Sequence, residues 1–136
     1  VLMKQASDLH SSTINQMAIA EVANTIFEDH TAKLRQTYTA RRDAMLSALE
    51  AQMPDGVTWT KPEGGMFVWL TLPKHMDGGE LLRQSLETQR VAFVPGQAFF
   101  ADRSGKNTLR LSFSLADDAQ IAEGITRLGA AIRAAL

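Results

Sequence analysis

One arginine interrupts an alternating apolar stretch near the C-terminus, in the run Asn107–Ser114. A strand sends alternate side chains to opposite faces, so Leu109, Leu111 and Phe113 share one face. Arg110 lies on the other, polar face. A guanidinium binds a carboxylate through two parallel hydrogen bonds, so an arginine held on a rigid strand is suited to clamp an amino acid or a 2-oxo acid. The alternative is an exposed arginine, or one paired with a structural Asp or Glu.

Two glycine-containing turns could accompany this arginine. Gly64-Gly65 precedes the apolar, aromatic stretch Met66–Leu70, and Pro95-Gly96 follows the short apolar stretch Val91–Val94. Glycine leaves the backbone unhindered, so we expect both turns to lie with Arg110 on one sheet edge, as the rim of a binding site. The alternative is that they serve only as turns, since Pro-Gly is the natural pair for the centre of a type II turn.

The remaining titratable side chains show no catalytic or metal-binding pattern. His10, His30 and His75 are scattered and lack metal-ligand spacing, so no metal site is expected. Glu63 and Asp102 have no partner carboxylate at a convincing spacing, which leaves an acid/base pair unsupported. The chain contains no cysteine, which excludes disulfides and thiolate chemistry.

The apolar periodicity predicts the elements that must position Arg110. Asp77 and Asp117 each precede a Glu or Gln by three residues, which indicates capping boxes at two helix starts. Met66 and Trp69 are expected in the core. The resulting fold class is α+β, a small mixed or antiparallel sheet covered by helices on one face. The predicted order is helix (14–27), helix (31–52), strand (57–61), strand (66–70), helix (from 77), strand (91–94), strand (108–114) and helix (from 117).

Bulk properties restrict the partners. The chain has 136 residues, enough for one domain, with 14 basic and 15 acidic side chains and no long basic run. Direct nucleic-acid contact by this segment is therefore not expected. No apolar run reaches the roughly 20 residues of a membrane helix, so we expect no membrane association and a cytoplasmic location. Residues 1–29 fit the compact unit formed by residues 30–136 less well, and are expected to belong to a neighbouring large domain.

Five motifs, in order along nearly the whole chain, resemble one family. The chain is similar to the small C-terminal domain of fold-type I, class I/II aminotransferases that depend on pyridoxal phosphate (PLP). The branch that it resembles most contains the 2-aminoadipate and kynurenine aminotransferases, with the aminotransferase-like module of MocR-type GntR-family regulators nearby. The motifs are Asp8–Thr13 with Asn15-Gln16, Arg41–Met45, Lys61–Trp69, Val91–Gly96 and Leu109–Ser114.

The resemblance implies roles for four residues. Arg110 would bind the α-carboxylate of amino acid and 2-oxo acid substrates, and Phe67 would line the substrate pocket. Leu9 would reach the active site of the other subunit of a homodimer. Ser12 would lie near the cofactor cleft, although a hydroxyl in this position could equally cap the first helix.

The family's Schiff-base lysine has no counterpart in this sequence. That lysine lies in a Ser-x-x-Lys segment followed by a phosphate-binding arginine, and none of the five lysines has this context: Lys4, Lys33, Lys61, Lys74 and Lys106. The chain therefore resembles the last third of a longer enzyme. We expect it to carry no catalytic residue, to bind no PLP by itself and to be inactive alone.

Two alternatives to an aminotransferase remain open. The chain could be the effector domain of a MocR/GntR-type transcriptional regulator, in which a DNA-binding region precedes an aminotransferase-like module. It could also be a free-standing α+β binding module that shares only the fold.

Overall fold

The computed structural model describes residues 2–136, with only the backbone of Asp8. The chain divides into two compact units, of which the first ends at Thr37 and the second is Tyr38–Leu136. That residues 1–29 belong to a neighbouring large domain, and 30–136 to the C-terminal domain, stays a prediction.

The first unit consists of helices. α1 (Leu2–Asp8) and α2 (Thr13–Thr25) are followed by α3 (Phe27–Gln52), whose later part belongs to the second unit. α2 has no buried residue. Its large apolar side chains are therefore exposed within this unit: Ile14, Met17, Ile19 and Val22.

A four-stranded antiparallel sheet forms the centre of the second unit. Its strands are β1 (Thr58–Trp59), β2 (Phe67–Thr71), β3 (Val94–Pro95) and β4 (Thr108–Ser112), in the order β1-β2-β4-β3. Every adjacent pair is antiparallel. The predicted α+β class is confirmed, and the sheet in the described residues is antiparallel rather than mixed.

Helices cover one face of this sheet. Val68 and Leu70 of β2 pair with Leu111 and Leu109 of β4, and all four side chains are buried. The helices that complete the core are the later part of α3, α4 (Gly78–Thr88) and α5 (Asp118–Ala135). No helix in residues 2–136 has the length and apolarity required to cross a membrane.

Polar caps begin the last two helices. Asp117 and Gln120 form the predicted capping box, since each side chain accepts a hydrogen bond from the other residue's backbone N–H, at 2.8 and 3.1 Å. Asp77 caps α4 by accepting from the N–H of Gly79 at 2.8 Å. The predicted reciprocal contact from Glu80 is replaced by an ion pair with Arg83 at 2.9 Å. Charge pairing one turn along the helix competes for that carboxylate.

Two predictions around the third strand are wrong. The strand predicted for residues 91–94 is only Val94–Pro95. Val91 instead pairs with the end of α4, where its carbonyl accepts from the hydroxyl of Ser85 at 2.9 Å. Pro95-Gly96 is not the centre of a type II turn, because the φ of Gly96 is not positive. Gly96 begins a 3-10 helix, Gly96–Phe99.

Alanine substitutions at two glycines of α5 should change the free energy of unfolding in opposite directions. A Cβ on Gly129 would lie 2.6 Å from the backbone oxygen of Gln52, whereas a Cβ on Gly124 would meet nothing within 4 Å. We expect Gly129→Ala to lower the free energy of unfolding by about 1–3 kcal/mol. Gly124→Ala should raise it by about 0.5–1 kcal/mol, because alanine favours helix. Urea denaturation measures both, and shifts of the same sign would contradict this packing.

Candidate functional site

Arg110 occupies the middle of β4, on the sheet face opposite the core. Its cross-strand neighbours are Trp69 on β2 and Val94 on β3. The guanidinium carbon lies 4.0 Å from the ring centroid of Phe67 and 4.6 Å from that of Phe99. The sheet thus holds a half-buried cation among aromatic side chains on the polar face that the sequence predicted for it.

Aromatic rings, and not carboxylates, are the described neighbours of this guanidinium. None of the ion pairs or side-chain hydrogen bonds described within residues 2–136 involves the guanidinium of Arg110. A structural salt bridge, one of the alternatives for this arginine, is therefore not observed in the described part of the chain. The donors of the planar fork are available for a carboxylate from outside this part.

Trp69, the cross-strand neighbour of Arg110, contacts two phenylalanine rings. Trp69 contacts Phe99 edge to face, with centroids 5.6 Å apart, and Phe100 at 6.1 Å.

The prediction of a core position for Met66 is wrong, since its side chain is 38% exposed. Trp69 is half-buried and its ring belongs to the Arg110 face. Met66 lies before the start of β2, where strand alternation no longer applies, and Trp69 lies between the buried Val68 and Leu70, so period two sends its side chain to the other face.

Phe99 was missed as a site residue because the sequence places it at the start of a polar loop. The 3-10 helix carries the chain from the end of β3 back over the sheet, and its last residue is Phe99. A short helix of this type leaves no periodicity in the sequence that could reveal it.

The lack of a side chain at Gly96 allows close packing against Thr108 and Trp69 of the same chain, rather than against a ligand. A Cβ at this position would lie 1.9 Å from Oγ1 of Thr108 and 2.8 Å from Cζ2 of Trp69. Thr108 is itself fixed, since its hydroxyl donates to the carbonyl of Gly105 at 2.7 Å. The absence of a side chain at Gly96 therefore lets the 3-10 helix pack against Trp69.

The two glycine turns do not share one sheet edge, contrary to prediction. Gly65 precedes the start of β2, where Phe67 pairs with Ser112 at the end of β4. Pro95 pairs with Leu109, near the start of β4. Antiparallel pairing thus puts the turns at opposite ends of the strand, with Arg110 between them. Gly65 has a φ of 78°, so its turn alone explains a glycine there.

Leu9 and Ser12 belong to the first unit, whereas Arg110 and Phe67 belong to the second. The structure brings Arg110 and Phe67 into contact. Leu9 is 73% exposed and has a φ of 64°, a left-handed conformation that a leucine rarely adopts. The hydroxyl of Ser12 accepts from the N–H of Asn15 at 3.5 Å and so caps α2. The binding roles of all four residues stay predictions.

Of the other two acidic candidates, Asp102 bonds within its own loop and Glu63 is exposed. No group of three His, Cys, Asp or Glu side chains that could hold a metal occurs in the described residues. Asp102 accepts a hydrogen bond from the N–H of Ser104 at 3.0 Å, and bonding to the side chain and backbone of Ser104 lowers the pKa of this carboxyl. It fixes the loop before β4. Glu63 is exposed.

Comparison with known proteins identifies the family of this chain. Residues 1–128 match the family model of aminotransferase class I and II. The chain belongs to this family. A 2-aminoadipate transaminase from Thermus thermophilus is 45% identical to the aminotransferase chain over 136 residues, which cover 100% of the chain and 34% of the transaminase. A crystal structure of a kynurenine aminotransferase from Pyrococcus horikoshii, in complex with PMP, is 46% identical with a TM-score of 0.91, over 99% of this chain and 33% of that one.

Transcriptional regulators match with lower identity. An uncharacterised helix-turn-helix regulator from Bacillus subtilis is 32% identical over 124 residues, 90% of the aminotransferase chain and 25% of the regulator. The chain spans about a third of the length of the curated enzymes that it matches.

Arg110, Lys61 and Ser12 have different surroundings in the described residues. The guanidinium of Arg110 lies against the rings of Phe67 and Phe99. Lys61 lies in an open groove on the α3 side, with Leu46 and Trp59. The hydroxyl of Ser12 is engaged as a helix cap. Arg110 is thus a cation that lies against aromatic rings, and its binding of a carboxylate stays a prediction.

Gly96→Ala should disturb these surroundings. Because the new methyl would overlap Thr108 and Trp69, we expect a loss of about 1–3 kcal/mol in the free energy of unfolding and altered Trp69 emission. The emission is measured in a Trp59→Phe background, which leaves Trp69 as the sole indole. Gly64→Ala is the matched control, since its methyl would meet nothing within 4 Å. Unchanged emission in Gly96→Ala would contradict the packing.

Proposed function

We propose that this chain is the carboxylate-binding C-terminal part of a PLP-dependent aminotransferase that transfers an amino group between an amino acid and a 2-oxo acid. One observation carries the proposal. The guanidinium of Arg110 lies on the open face of β4, over the rings of Phe67 and Phe99, in a chain of the aminotransferase family.

A single arginine can serve both substrates. Transamination exchanges an amino group for an oxygen at the α-carbon and leaves the neighbouring carboxylate unchanged. A bidentate pair with that carboxylate fixes the α-carbon in both half-reactions, which contributes orientation as well as affinity. PLP, when bound to the whole enzyme, supplies the electron sink for this chemistry. In this chain, Arg110 binds and orients.

Phe67 is assigned to the wall of the substrate pocket. Its ring contacts the guanidinium carbon of Arg110 at 4.0 Å and is 41% exposed, so one side is available to a ligand. An apolar wall of this kind discriminates side chains weakly. The names of two relatives refer to substrates as different as 2-aminoadipate and kynurenine. The element common to such substrates is the α-carboxylate that Arg110 binds.

Further parts of the proposal concern the whole enzyme. The Schiff-base lysine, the phosphate-binding arginine and the large domain lie outside this chain. Leu9 contacts substrate in the second subunit of a homodimer, and Ser12 lies near the cofactor. The exposed apolar side chains of α2 support a buried position for this helix in a larger assembly. The enzyme is cytoplasmic.

The regulator is the less supported alternative. Its representatives match at 30–32% identity, against 45–48% for the first two enzymes. The sequence that precedes this chain in the whole protein distinguishes the two. A basic, helix-turn-helix region there would favour the regulator.

Arg110→Ala in the whole enzyme should raise KM for amino donors by about 100-fold or more, because the α-carboxylate loses a charge-assisted pair. Arg110→Lys should restore little, since an ammonium lacks the planar fork and stacks poorly. Steady-state kinetics measure KM, and the visible absorption of the bound cofactor should stay as in the unsubstituted enzyme.

Arg83→Ala is the charge-matched control. This arginine lies on the exposed surface of α4 and pairs with Glu80. We expect its KM to stay within about twofold of the unsubstituted enzyme. An Arg110→Ala enzyme with unchanged KM would contradict the role assigned to Arg110.

The 136-residue chain by itself should not transaminate. Mixed with PLP, an amino acid and a 2-oxo acid, it lacks the lysine that the reaction needs. Product formation above the rate of free PLP, measured by chromatography, would show that the active site lies within this chain.

A further inference from the structure

The ring of Phe99 contacts the Arg110 guanidinium, and the proposed function assigns no role to this residue. We propose that Phe99 is a positioning residue, whose ring holds the Arg110 guanidinium in the orientation that receives a substrate carboxylate. This inference rests on the proposed function of Arg110.

The two rings near the guanidinium come from the two sides of β4. Phe67 belongs to β2, which pairs with one side of β4. Phe99 ends the 3-10 helix that follows β3, the strand on the other side. Their centroids lie 4.0 and 4.6 Å from the guanidinium carbon, well inside the distance at which cation–π attraction acts. The arginine is therefore flanked by aromatic rings.

Such flanking affects binding through the conformation of the arginine. A free arginine side chain has several rotatable bonds, and fixing them on binding costs free energy. Rings that cover the flat surface of a guanidinium leave its N–H edge, which is the part that pairs with a carboxylate. An arginine held in this way before the substrate arrives loses less freedom on binding.

Phe99 is itself fixed by contacts on its other side. Its ring meets Trp69 edge to face at 5.6 Å, and Trp69 is the cross-strand neighbour of Arg110. Gly96, at the other end of the same 3-10 helix, packs directly against Trp69. Both ends of the four-residue helix, Gly96 and Phe99, thus pack against Trp69 of the sheet. These contacts distinguish Phe99 from an exposed phenylalanine in an ordinary loop.

The adjacent residue supplies a matched control. Phe100 also contacts Trp69, at 6.1 Å, but the cation–π contacts of Arg110 in the described residues are with Phe67 and Phe99 and do not include Phe100. The two phenylalanines have similar exposures, 49% for Phe99 and 38% for Phe100. Replacing each with leucine removes the same ring, and only Phe99→Leu removes a cation–π contact of Arg110.

The experiment uses the whole enzyme with L-phenylalanine and L-phenylalaninamide as amino donors and 2-oxoglutarate as acceptor. Phe99→Leu should raise KM for L-phenylalanine by roughly three- to tenfold, with kcat little changed, because cation–π attraction of this size orients the arginine. The amide, which has no carboxylate, should react with unchanged kcat/KM. Phe99→Tyr should restore KM, and Phe100→Leu should leave it within about twofold.

A double-mutant cycle separates positioning from general damage. In an Arg110→Ala background, Phe99→Leu should have no further effect on KM, since there is no guanidinium left to orient. Equal losses with the acid and the amide, or a full additional loss in that background, would overturn the inference. Phe99→Met is the second variant, should the leucine enzyme fold poorly.

The outcomes also distinguish this inference from the function on which it rests. An unsubstituted enzyme that transfers no amino group overturns both. An enzyme that depends on Arg110 but whose Phe99→Leu variant behaves like Phe100→Leu leaves the proposed function intact and overturns the role of Phe99.

Discussion

The second unit depends on one strand, β4, whose one face must be apolar for the core and whose other face carries a charge. β4 places Leu109 and Leu111 in the core and Arg110 on the other side, and period two makes these assignments inseparable. A slip of one residue against β2 would bury the guanidinium and expose both leucines. The same hydrophobic burial that stabilises the sheet therefore fixes the sheet face on which the arginine lies.

How much could be predicted from the sequence follows from this coupling. The faces of β4, the caps at Asp77 and Asp117 and the α+β class could be predicted, because each depends on a local pattern of apolar or capping residues. The limits of the third strand could not, since Val91 bonds to Ser85 on α4, a contact made by tertiary packing. The cap on Ser12 was foreseen only as one of two alternatives.

The candidate site was predicted in part for the same reason. Arg110 is conspicuous as a charge within an apolar pattern, and Phe67 came from the resemblance to aminotransferases. Phe99 could not be found, because a 3-10 helix of four residues has no sequence period and its contact with Arg110 crosses from β3 to β4. The glycine turns were misplaced because sequence spacing does not reveal which end of an antiparallel strand a turn will meet.

The two outer strands of the sheet have a consequence for how this unit can associate. β1 and β3 are each two residues long, and Pro95 in β3 has no N–H to donate. An additional strand, from another copy or another protein, would find almost no row of free backbone groups to extend. Growth by edge-to-edge pairing is thus disfavoured at both outer strands, which favours association of this unit through side-chain surfaces.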